Sequence, residues 1–105
     1  MKTKHTPGPW IIKKVSTSKI NAVRIVAQND HSRIASIQDV YNNEPYFTEG
    51  KANAQLIATA PELLTALSNL LTVAEKQLDQ SATHEGLTNA DIIAKARKAI
   101  RNATN

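Results

Sequence analysis

The chain contains no cysteine and only three glycines among its 105 residues. Without cysteine there can be no disulfide, no zinc–thiolate site and no thiol nucleophile. Three glycines are too few, and too scattered, for a phosphate-cradling Gly-rich loop. Aromatic residues are also scarce: Trp10, Tyr41, Tyr46 and Phe47 are all there are, so Leu, Ile, Val and Ala must build the core. No uninterrupted apolar run approaches the roughly 20 residues that span a bilayer. The opening MKTKHTPGPW is basic but has no apolar stretch behind it, so a secretory signal is not expected. These absences point to a cytoplasmic protein with no membrane partner.

What is present suits one modest globular domain over residues 1–105. Hydrophobic residues make up 41% of the chain and charged residues 21%, which separates it from disordered sequences. The formal net charge is +4. Such a mild excess suits a ligand with phosphates or an acidic protein surface.

The composition changes character near residue 50. Before it, β-branched residues cluster in three short runs, Trp10 to Val15, Ala22 to Ala27 and Arg33 to Val40, each bounded by turn formers. In AVRIVAQ, Val23, Ile25 and Ala27 alternate with Arg24, Val26 and Gln28. RIASIQDV alternates more weakly, with Ile34, Ser36 and Gln38 opposite Ala35, Ile37 and Asp39. QNDHS between these runs has turn chemistry. The pattern predicts an antiparallel meander of three or more strands within 10–49. It is preceded by an extended arm, 1–9, that ends in an anchoring indole at Trp10. Asn42 to Gly50 reads as a loop, with a short edge strand possible at Tyr46 to Thr48.

From Lys51 onward the spacing is helical through 51–103. Leu56, Ala60, Leu63, Leu67, Leu70 and Ala74 form a heptad seam, flanked by a second row at Ile57, Leu64, Leu71 and Leu78. Together they make an apolar face wide enough to cover a sheet and still meet another helix or another subunit. Pro61 lies inside this segment. Thr59-Ala60-Pro61-Glu62 matches a capping box, and proline is tolerated in a first helical turn. The spacing therefore predicts a short helix over 51–58, a break, and a longer helix from about 60 to 80. The alternative is one helix carried through the proline at a cost of about 3 kcal/mol. SATHEGL reads as a linker stopped by Gly86. Thr88-Asn89-Ala90-Asp91 marks a last helix over 89–103, which should pack back antiparallel as a hairpin. The expected class is α+β, an N-terminal antiparallel sheet followed by a C-terminal two-helix hairpin.

No catalytic set emerges. His5, His31 and His84 have no partner at a metal-ligand spacing, and no G-x-S-x-G elbow surrounds any serine. Neither enzymatic activity nor a metal or cofactor is expected. Arg97 and Arg101, one helical turn apart, could clamp phosphates, or they could serve only to complement the helix C-terminus. No helix-turn-helix or zinc-finger spacing accompanies them, so duplex nucleic acid is not the expected partner. Tyr46 and Phe47 ahead of Asn53 could stack on a base and bond its edge, aided by a helix N-terminus. Equally, one aromatic could be core and Asn53 a cap.

Two segments carry a resemblance: His5-Thr6-Pro7-Gly8-Pro9-Trp10, and Ala52-Asn53-Ala54-Gln55-Leu56-Ile57-Ala58-Thr59-Ala60-Pro61-Glu62-Leu63-Leu64. Covering about a fifth of the chain, they resemble a widespread group of small phage and prophage proteins. The characterised family that this group resembles is the phage Thoeris anti-defence sponges, with a strand-rich N-terminal half and two C-terminal helices. Those proteins form oligomers that sequester the cyclic ADP-ribose signal of a bacterial immune system, and some relatives hold cyclic oligonucleotides. The resemblance implies a homo-oligomer in the infected cell that binds a cyclic nucleotide without cleaving it. It implies nucleotide contacts from Phe47 or Tyr46 and from Asn53, and phosphate contacts from Arg97 and Arg101. A rival expectation is a phage inhibitor or adaptor docking on a host nuclease or defence effector through the basic last helix and the leucine face. A small accessory phage protein is the third.

Overall fold

The computed structural model describes residues 4–15, 21–39 and 46–104, with positions 21, 39 and 46–48 described by backbone alone. Three strands come first: β1 (Trp10–Lys14), β2 (Asn21–Ala27) and β3 (Arg33–Asp39), each within one residue of the boundaries that composition predicts. They pair antiparallel in chain order. A helix α1 (Tyr46–Gln77), a two-stranded ribbon of β4 (Thr83–His84) and β5 (Leu87–Thr88), and a helix α2 (Asn89–Thr104) follow. The class is α+β, as expected: an antiparallel three-stranded sheet, then two C-terminal helices. The chain divides into two compact units, Thr6–Glu62 and Leu63–Asn105 with Met1–His5.

In the first unit β2 is the central strand, and Ala22, Val23, Ile25, Val26 and Ala27 are all buried. Ile25 has no exposed surface. It faces Ile12 on β1 and Ala35 on β3. Beyond Ile25 the register slips, so that Val26 pairs with Arg33 and Ile34 is the extra residue of a bulge. The bulge explains the weak alternation in RIASIQDV. Ile34 and Ala35, which strict alternation puts on opposite faces, both pack against the core, as does Ile37. That core is closed by α1: Ala54 and Ala58, one turn apart, sit against Val23 and Ile25, with Trp10, Ile12 and Ile57 around them. Alanine at both positions lets the helix backbone approach the sheet closely, at native packing density.

The segment before β1 is tied down at several points. The Trp10 indole donates to the Thr6 carbonyl at 3.1 Å, and the Gln28 amide donates to the Pro9 carbonyl at 3.0 Å. Gly8 lies flush against α1: a Cβ added there would stand 2.7 Å from Cβ and 3.2 Å from Cγ of Pro61. The proline that interrupts the helical pattern thus meets the proline-rich arm.

Three expectations along the chain are corrected. First, α1 does not break at Pro61 but runs as one helix of 32 residues through it. Thr59, the expected cap, is inside the helix, and its hydroxyl donates back to the Gln55 carbonyl at 2.7 Å. Helix formers precede Thr59, and the packing of Ala54 and Ala58 outweighs the hydrogen bond that proline removes. Second, the expected loop and edge strand give way to helix from Tyr46; residues 42–45 of that loop lie outside the described residues. Glu49 in the first turn suits the positive end of the helix dipole. Gly50 is absorbed inside α1 at an ordinary cost of about 1 kcal/mol.

Third, the linker holds the β4–β5 ribbon, closed by Glu85 and Gly86 with φ of 50° and 82°. Two successive positive φ values are those of a type I′ hairpin turn, which matches strand twist and favours Asn-Gly. Just before it, Asp79 accepts from both the amide and the hydroxyl of Ser81, at 2.9 and 2.8 Å. Asp30 and Ser32 repeat this arrangement at the β2–β3 turn. The serine amide, then the hydroxyl, lowers both carboxyls below their ordinary value. The stability this contributes is present above the unfolded carboxylate pKa and is lost as pH falls through the folded one.

The α2 start is the reciprocal cap that the sequence predicts. The Asp91 amide donates to Thr88 Oγ1 at 3.1 Å, and the Thr88 amide to Asp91 Oδ2 at 3.4 Å. Asn89 Nδ2 adds a 2.7 Å bond to the Asp79 carbonyl, fastening α2 to the chain that leaves α1.

Two substitutions test this account by thermal melts followed by circular dichroism. Gly8→Ala should destabilise by about 1–3 kcal/mol, because the added methyl meets the rigid Pro61 ring rather than a mobile side chain. Glu85→Asn should stabilise, by up to about 1 kcal/mol, because Asn accepts positive φ more readily at a hairpin turn.

Candidate functional site

The residues singled out by sequence fall in both units: Tyr46, Phe47 and Asn53 in the first, Arg97 and Arg101 in the second. In the first unit all three lie on α1, and the helix start at Tyr46 changes their relation. Asn53 sits about two turns inside the helix, so its side chain cannot cap an end. Helical spacing separates the two aromatic positions. Position 47 shares a face with Ala54 and Ala58, the residues that close the core. Position 46 shares a stripe with Gly50 and Asn53.

Asn53 itself is exposed, as are Ala52, Gln55 and Leu56 around it. The motif ANAQLIA therefore has two parts. Ala54, Ile57 and Ala58 are explained by packing, whereas Asn53 has no part in the core. An exposed carboxamide with no packing duty offers both a donor and an acceptor to a ligand edge.

In the second unit, Arg97 donates from Nε to Glu75 Oε1 at 3.0 Å, linking α2 to α1. Both side chains are substantially exposed, so the pair contributes between nothing and about 1 kcal/mol. A phosphate could displace Glu75 from Arg97 at little cost, but the carboxylate also offsets part of the positive field. Arg101 lies one turn further on, in the last turn of α2, exposed like Lys95 and Lys98. Among the described residues no three His, Asp or Glu side chains gather as a metal would require.

The broad apolar face read from the sequence divides into two rows. Ile57, Leu64, Leu67, Leu71 and Ala74 are half-buried, while Leu56, Ala60, Leu63, Leu70 and Leu78 stand exposed, as does Val73, which the heptad count omits. The heptad count announces both rows together and cannot say which one packs. By length and composition the stretch Glu49–Gln77 is apolar enough to cross a membrane, a test that core helices also pass. The contact between Gly8 and Pro61 has no local signal at all, since it joins residues 53 positions apart.

No curated protein and no solved structure matches the chain. A family model described as Salmonella phage P22 protein Y8K6 matches it over residues 1–105. A small chain of this strand-then-helix order, matched from its first residue to its last, belongs to that phage protein family.

Proposed function

We propose that this phage protein binds a cyclic nucleotide immune signal of the host, a cyclic ADP-ribose isomer or a cyclic oligonucleotide, and holds it without cleavage. The observation that carries this reading is Asn53, an exposed amide beside the residues that close the core, on one stripe with Gly50 and Tyr46. In the proposed site Tyr46 stacks on a base, Asn53 bonds its edge, and Gly50 leaves room for the ring between them. The positive end of the α1 dipole favours a phosphate. Phe47, one position on, is the other candidate for the stacking contact. Arg97 and Arg101 are the proposed phosphate contacts of the second unit, with Arg97 exchanging Glu75 for the ligand.

Sequestration needs no catalytic group. A protein made in excess and slow to release its ligand lowers the free signal by mass action in the host cytoplasm, with no cofactor involved. Support for the reading comes from the resemblance in the HTPGPW and ANAQLIATAPELL segments and from the phage family. The alternative is an inhibitor or adaptor for a host defence effector. It is favoured by Lys95, Lys98 and Arg101, which stand exposed on α2 and would meet an acidic surface. Binding of that kind would weaken steeply with salt.

Isothermal titration calorimetry against cyclic ADP-ribose isomers and cyclic di- and trinucleotides tests the proposal. Submicromolar binding of one of them is expected. Asn53→Ala should weaken it by about ten- to a hundredfold, the usual cost of a ligand group left without its partner. Of Tyr46→Ala and Phe47→Ala, the variant that removes the stacking aromatic should weaken binding as well. Absence of heat with every ligand at tens of micromolar protein would overturn the reading and leave the effector-docking alternative.

A further inference from the structure

On α1 the exposed row continues as a two-position heptad repeat. Leu63 and Leu70 are seven apart and 49% and 65% exposed; Ala66 and Val73 lie three residues after each, with Val73 56% exposed. Leucine and valine side chains left this open, at the spacing of a coiled-coil seam, lack an apolar partner. The residues beside the seam indicate what that partner is. At the three flanking positions stand Glu62, Asn69 and Lys76, an acid, an amide and a base in order, seven residues apart. Such an order is complementary to itself when reversed.

We infer that a second copy of this chain covers the row, with the two α1 helices antiparallel about a two-fold axis level with residue 68. In that register Leu63 packs on Val73 of the second copy, and Ala66 on Leu70 of the second copy. Each layer then combines a leucine with a smaller residue. Glu62 meets Lys76 of the second copy at both ends, and Asn69 meets its own counterpart in the middle. A parallel pairing would instead stack Ala66 on Ala66, leaving an underfilled layer, and would set Glu62 beside Leu67 with no charge to answer it. The isologous arrangement is also the commonest symmetry of soluble oligomers. It gives the oligomer of the proposed function a defined face, yet needs no ligand, so the two readings fail separately.

Analytical ultracentrifugation of the full chain, with calorimetry run on the same preparations, provides the test. A dimer is expected, and Leu70→Lys should weaken it by at least about tenfold while leaving the helical circular dichroism intact. Glu62→Lys should weaken it a few-fold and the reciprocal Glu62→Lys/Lys76→Glu variant should restore it, as for an exposed ion pair. Because the chain has no cysteine, register can be read by oxidation. Leu63→Cys/Val73→Cys should form covalent dimers, whereas Leu63→Cys alone should not; the two positions are too far apart along one helix to bridge internally. A monomer at tens of micromolar, a dimer indifferent to Leu70→Lys, or efficient crosslinking of Leu63→Cys alone would each overturn the inference. So would a monomer that sediments with anionic lipid vesicles through the same leucines, which would assign the row to a membrane surface.

Discussion

Two alanines one turn apart, Ala54 and Ala58, set how closely α1 approaches the sheet, and the rest of the first unit follows from that distance. Their methyl groups rest on Val23 and Ile25, and only side chains this short let Ile12, Ile37 and Ile57 close around the contact. Anything longer would lift the helix and open voids along the fully buried Ile25. The contact fixes rotation as well as distance. Once Ala54 and Ala58 face the sheet, the helical period turns Asn53 and Leu56 to solvent.

Pro61 belongs to the same arrangement. Read locally, a proline after Thr-Ala and before Glu is the start of a helix. In the folded chain it is part of an existing helix whose lost hydrogen bond is outweighed by packing, and its ring is the surface against which Gly8 lies. The glycine is required because a side chain there would collide with the ring, not because of an unusual backbone angle. Two proline-bearing segments that look like separate peculiarities of the sequence are the two sides of one contact.

The second unit is governed more by local chemistry. Its reciprocal cap at Thr88 and Asp91 and its hairpin turn at Glu85-Gly86 all form between residues no more than a few positions apart. The aspartate turn at Asp79 and Ser81 is equally local. Such groups satisfy the backbone at the point where the chain leaves one helix and enters the next, and they position Asn89 to reach the Asp79 carbonyl. What they leave open is the long face of α1, and there the arrangement of leucines and charges carries the proposal of a second copy.

By itself the sequence determined the elements that rest on short-range pattern. The three strands, the two helical regions and the α2 cap were readable because alternation, heptad spacing and capping chemistry act over a few residues. The weak alternation of β3 was readable too, though its cause, a bulge that lets neighbouring residues face one core, was not. The candidate residues Asn53, Arg97 and Arg101 could be named by type, but not their surroundings. Only the fold decided that Asn53 lies well inside a helix and that Arg97 already holds Glu75. Tertiary structure alone decided that α1 continues through Pro61 and which of two equally apolar rows is covered. At Pro61 the deciding contact, Ala54 and Ala58 on Val23 and Ile25, joins segments distant in sequence and outweighs the local preference for a break.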